Sequence, residues 1–154
     1  MDEDPDTSIL AELKTDLHPC SIEAVNESAF LLGLYELDEA KAVRRGSLIL
    51  CDVDATLAGK DEGEGDGEGI NPLPIISRDR VETDGGVLDC KISNDMVAAT
   101  LSTGRLDLLS LNVDEGKLMQ VSSIANEDEG LFLSVGKNTS WVGLGWVLFK
   151  SDLF

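Results

Sequence analysis

This sequence predicts an all-β chain built of repeated four-stranded antiparallel units, the pattern of an incomplete β-propeller. Three observations carry the prediction. From Cys20 onward, short alternating or apolar runs follow one another, each closed by a cluster of Gly, Asn, Asp or Ser. The runs repeat in order: Gly86-Val87-Leu88 returns as Gly130-Leu131-Phe132, and 46–54 parallels 104–114, both opening on glycine and closing on Val-Asp. A four-stranded unit recurring every ~40–45 residues is what propeller blades require.

The elements follow in order. Residues 1–15 form an acidic N-terminal arm. Within it, Asp6-Thr7-Ser8 can cap a short helix over 9–14, where Ile9 and Leu13 sit four apart. An extended arm fits equally well. Ser21-Ile22-Glu23-Ala24-Val25 alternates as a strand does, and Asn26-Glu27-Ser28 turns the chain. The run from Ala29 to Leu37 is apolar almost throughout. A buried helix is the alternative there, but Gly33 in its middle and hairpin-like neighbours favour a strand buried on both faces. Residues 38–45 are a polar connection, and 46–54 make a third strand.

Residues 55–76 interrupt the pattern. Acid alternates with glycine from Lys60 to Gly69. Like charges repel and glycine has the most backbone entropy to lose, so a disordered surface loop is expected. A calcium loop is the alternative, but the Asp-x-Asp-x-Asp-Gly register with its distal Glu is missing. Asn71-Pro72-Leu73-Pro74 closes the loop stiffly. The fourth strand is expected near 77–83, so blade one spans 20–83 with an acidic, Gly-rich insertion at 55–76.

Blade two spans 86–124, with turns at Ser93-Asn94-Asp95, Ser102-Thr103-Gly104 and Asp114-Glu115-Gly116. The slip at Leu108-Leu109 marks a bulge. Blade three starts at 130–135. A single β-sandwich or small barrel is the competing architecture; the repeat favours blades. Propellers close with ~4–8 blades, so the expectation is the amino-terminal portion of a ring. The last residues, 136–154, are atypical. They hold both tryptophans, and Asp152 is their one acidic residue. Translation of an unspliced intron is one reading of this tail, and a terminal strand pair is the other. Asn138-Thr139-Ser140 matches a glycosylation acceptor, which the missing signal peptide makes moot.

Charge narrows the function. The 154 residues include 12 Lys and Arg against 30 Asp and Glu, a net charge of -18. That balance opposes binding to nucleic acid or to anionic lipid and favours basic protein partners. No apolar run approaches the ~20 residues of a membrane span. The acidic start Met1-Asp2-Glu3-Asp4 is unlike a basic signal region, so a cytoplasmic location is expected. Cys20, Cys51 and Cys90 are far apart and form no Cys-x-x-Cys pair. Buried thiols are expected, with neither a disulfide framework nor a zinc site. No Gly-x-Ser-x-Gly elbow, phosphate loop or dinucleotide fingerprint occurs, and no cofactor or metal is expected. His18 is the single histidine; its place beside Pro19 suggests an exposed turn rather than a catalytic base. Asp89 either organises a turn or faces a central channel.

Several motifs taken together resemble one family. Pro19-Cys20-Ser21-Ile22-Glu23 matches its Pro/Ser/Glu-containing first strand, and Gly33-Leu34-Tyr35-Glu36-Leu37 matches a Gly-x-Tyr-x-Leu strand. Arg44-Arg45-Gly46-Ser47-Leu48-Ile49-Leu50 matches Arg-x-Gly-x-Leu-x-Leu. Gly86-Val87-Leu88-Asp89-Cys90-Lys91 matches an Ile/Val-Leu-Asp-x-Lys strand, and 99–104 has its Ala followed by a Gly before the next strand. In order and spacing these residues resemble the amino-terminal part of the WD-repeat diphthine methylesterases, a WD40-type propeller family, over residues 16–135. Ala24 and Ile92 stand where that family has tryptophan. The resemblance implies a carboxylic-ester hydrolase that acts on methylated diphthine of translation elongation factor 2 in diphthamide biosynthesis, with that factor as partner. It assigns no catalytic residue to this segment. A non-catalytic propeller scaffold for protein–protein contact is the alternative function, and a self-contained small β domain is a third.

Overall fold

The computed structural model of the chain describes residues 11–54, 73–125, 131–138 and 145–151. Every regular element in them is a strand. These are β1 (Ala11–Glu12), β2 (His18–Ala24), β3 (Ala29–Asp38), β4 (Val43–Val53), β5 (Leu73–Thr83), β6 (Val87–Ser93), β7 (Met96–Leu101), β8 (Arg105–Asn112), β9 (Lys117–Ala125), β10 (Leu131–Asn138) and β11 (Gly145–Ser151). β2 to β5 form one antiparallel meander and β6 to β9 a second, while β10 and β11 pair by themselves. The protein is therefore all-β, with two four-stranded blades and a further hairpin, the architecture of an incomplete propeller.

The order of each meander gives every blade an inner and an outer edge. β6 packs against both β2 and β10, and β5 packs against β9. Like-ranked strands thus face one another, which stacks the blades side by side around a common inner edge.

Alternation along the strands builds the core between them. Leu31, Leu48 and Leu50 point from blade one into a cluster with Val87, Cys90, Ile92, Val97 and Leu109 of blade two. The opposite side chains of β3 and β4 are also apolar, and Leu32, Leu34, Ile49 and Cys51 bury a second cluster. β3 is thus covered on both faces, as its long apolar run predicts. What covers the second face is the N-terminal arm. β1 runs parallel to β5, pairing Ala11 with Leu73 and Glu12 with Pro74. Leu13 and Leu17 then pack onto the cluster. Leu13, Thr15 and Leu17 turn inward while Lys14 and Asp16 stay exposed, a period of two. Over 11–14 this favours the extended reading: Ala11–Glu12 is strand, and the side chains alternate with a period of two rather than 3.6. Residues 9 and 10 lie outside the described residues.

Three boundaries differ from the sequence expectation. β5 begins at Leu73, ahead of Ser77, so the insertion ends earlier than residue 76. Ile75 and Ile76 pair with Val53 and Asp52, and Ile75 joins the second cluster. Pro74 is tolerated near the start of the strand, where its carbonyl still accepts from the Asp54 N–H at 2.9 Å. The rest of the acidic insertion, 55–72, lies outside the described residues. The connection between β3 and β4 is also shorter than 38–45. Pairing runs on through Leu37 with Arg44 and Asp38 with Val43, closed by Ala42 at a φ of 52°. Finally, β10 continues past Val135 to Asn138 and pairs with β11, so the described part of the tail is a strand pair.

The predicted bulge at Leu108-Leu109 is present, with the extra residue, Val121, on the partner strand β9. Two glycines of the repeat permit close approach between blades. A Cβ on Gly86 would overlap the Tyr35 ring, and one on Gly46 would overlap the Gly85 carbonyl oxygen. The connection from blade one to blade two therefore lies flat against β4.

Candidate functional site

The innermost strands carry a shared irregularity. β2 shifts register between Pro19 and Ser21, β6 between Val87 and Asp89, and β10 between Phe132 and Ser134. The bulged residues are Cys20, Leu88 and Leu133. A bulge bends its strand and re-aims the residue it adds. Here all three residues point into one cleft of about 290 Å³, completed by Tyr35, Arg44 and Ser102. The Cys20 thiol lies 3.8 Å from the Leu88 carbonyl oxygen, linking two of the bulges.

Local hydrogen bonds build the rim. Thr83 donates to the Gly85 carbonyl at 2.7 Å, and Thr103 donates to the Asp84 carbonyl at 2.8 Å. The Gly86 N–H donates to the Ser102 hydroxyl at 2.9 Å. The β5–β6 connection is thereby tied to the β7–β8 turn. Arg44 and Ser102 also border an adjoining cleft of about 530 Å³, lined further by Leu37, Val43, Asp84 and Thr103.

Along the inner edge runs a chain of charged and polar groups. Glu23 on β2 accepts from the Lys91 ammonium at 3.1 Å, and Asp89 lies 3.6 Å from the same ammonium. The other Asp89 oxygen accepts from the Ser134 hydroxyl at 2.6 Å and from the Val135 N–H at 3.1 Å. One chain thus joins β2, β6 and β10. Burial works against the charge on Lys91, but the Glu23 hydrogen bond and the Asp89 charge outweigh it and hold the ammonium above its ordinary value. Asp89 stands on the inner edge and organises the neighbouring strand rather than a turn.

The thiols divide into two kinds. Cys51 and Cys90 are buried and Cys20 is exposed, contrary to the expectation that all three are buried. The cause is position: Cys20 is the bulged residue at the open cleft, on a strand in which no residue is fully buried. Burial, with Asp52 beside it, pushes the Cys51 thiol up to about 11. Burial also pushes Cys90 up to about 11, against a hydrogen-bonding contact with Ser21 at 3.3 Å. Neither is an activated nucleophile. His18 is exposed at the start of β2, opposite Tyr35. Among the described residues no group of three His, Cys, Asp or Glu is arranged to hold a metal ion. No helix of the described residues is long and apolar enough to cross a membrane.

Sequence reasoning quoted Tyr35, Arg44, Leu88 and Cys20 as motif residues without placing them together. The common bulge was the missing signal, since register is not visible in a single sequence. No protein-family model matches the chain, and no curated protein matches it either.

Proposed function

We propose that the chain supplies the first blades of a diphthine methylesterase-like propeller, which hydrolyses the methyl ester of methylated diphthine on translation elongation factor 2. One observation carries this reading. Residues from separate motifs of the resemblance converge on one cleft: Cys20 from the first strand, Tyr35 from Gly-x-Tyr, Arg44 from Arg-x-Gly, and Leu88 from the Leu-Asp-x-Lys strand. A wide, shallow inner end also suits a side chain presented by a large protein. In the reaction, water adds to the ester carbonyl, the carbon–methoxy bond breaks and methanol leaves with a proton. Such a step needs an activated water or nucleophile and donors for the oxyanion. Arg44 is a cationic donor at the cleft. The described residues assign no base: His18 is exposed at the start of β2 and both buried thiols are held protonated.

The test is methanol release from elongation factor 2 carrying methylated diphthine, with this chain and with the longest product of its gene. Release by the longer product supports the esterase reading; no release by either removes it. The second reading is a non-catalytic scaffold, favoured by the absence of an activated nucleophile among the described residues. A net charge of -18 then selects basic partners, and their binding weakens as salt rises.

A further inference from the structure

Most described cations are neutralised. Lys41, Arg45, Arg78, Arg80, Lys91 and Lys117 each form an ion pair with a carboxylate. Arg44 is different. Its guanidinium makes no ion pair and no hydrogen bond among the described residues, in a chain with a large excess of acid. Asp84, across the same cleft, likewise has a carboxylate with no described partner, and the two do not pair with each other. Two opposite charges thus line one cleft of about 530 Å³, both exposed and neither paired with a described protein group. Arg44 and Ser102 continue that cleft into the smaller cup lined by Leu88 and Leu133.

We propose that this composite cleft binds an extended peptide segment of a partner protein that carries one carboxylate and one cationic side chain. The carboxylate pairs with Arg44 in the fork geometry a guanidinium offers. The cation pairs with Asp84, and an aliphatic side chain of the same segment fills the cup beside Leu88 and Leu133. Charge fixes the class of occupant. A polyacidic segment is repelled by the field of the whole chain, and a purely basic one leaves Arg44 facing a like charge. A segment of mixed charge satisfies both sides. The proposal goes beyond the esterase reading and does not rest on it.

Cys20 supplies the readout. It lines the cup and is exposed, while Cys51 and Cys90 are buried and held protonated. The full chain is labelled with a maleimide, and the rate at Cys20 is followed with increasing blocked tripeptide acetyl-Glu-Leu-Lys-amide. The peptide slows labelling with a saturable profile. An exposed ion pair is worth up to ~1 kcal/mol, so Arg44→Gln or replacement of the peptide Glu by Gln raises the half-protecting concentration by up to about fivefold. Asp84→Asn does the same for the Lys-bearing peptide but not for one with norleucine in its place. Equal protection of the wild type and Arg44→Gln, or no protection at millimolar peptide, overturns the proposal. Both variants are at exposed positions, and unchanged circular dichroism confirms that they fold.

Discussion

Asp79 joins the outer edges of the two blades. Its carboxylate accepts from the Leu118 N–H at 2.9 Å and lies 3.7 Å from the Lys117 ammonium. The Leu118 hydrogen bond holds its carboxyl below the ordinary range against the opposing effect of burial. The sign of the linkage follows. A depressed folded-state value stabilises the fold above the unfolded value of ~3.9, and the contribution is lost as pH falls through the folded value. Asp79→Asn therefore flattens the acid limb of stability against pH, read by urea unfolding from pH 5 downward. Asp79→Ala leaves the Leu118 N–H without its acceptor and costs about 1–2 kcal/mol at neutral pH. A chain in which neither variant alters the acid limb lacks this blade-to-blade contact. The thiols give a second check at this scale. Native protein should titrate one thiol rapidly, Cys20, and all three only after denaturation.

At the scale of elements, the connection between the blades depends on glycine twice, for backbone freedom at Gly85, whose φ is 125°, and for space at Gly86. Gly86→Ala forces a methyl into the Tyr35 ring. Overpacking of this kind costs about 1–3 kcal/mol, and a smaller side chain at Tyr35 should recover part of the loss in a double-mutant cycle. The N-terminal arm makes a separate contribution. Leu17 is 7 % exposed within the second cluster. Leu17→Ala should cost about 2–3 kcal/mol by chemical denaturation and expose the face of blade one that the arm covers. The same elements show what a single sequence can convey. An alternating strand such as β8, a long apolar run broken by glycine such as β3, and turns such as Asn94 at a φ of 52° were legible because pattern and turn chemistry are local. β1 was not, since two residues pair with a strand far along the chain. The start of β5 was missed for a related reason: prolines announce a loop unless the strand edge beside them is known. The cleft was legible only as scattered motif residues, because bulge positions are properties of pairing.

Over the whole molecule, the inner edge is where charge, cavity and repeat coincide. The far side of blade two presents apolar side chains to water: Met119 is 65 % exposed and Ile124 47 %. Such surface favours association, opposed here by a net charge of -18. Sedimentation should therefore show oligomers that grow with added salt and recede in Met119→Lys. The central claim is that β2, β6 and β10 stand side by side with their bulges turned to one cleft. Nuclear Overhauser contacts from the Leu88 methyl groups test it most directly. The structure predicts contacts both to Cys20 on β2 and to Leu133 on β10. Contacts to only one of them, or to neither, would mean that the inner strands do not converge and that the blades and the site must be drawn differently.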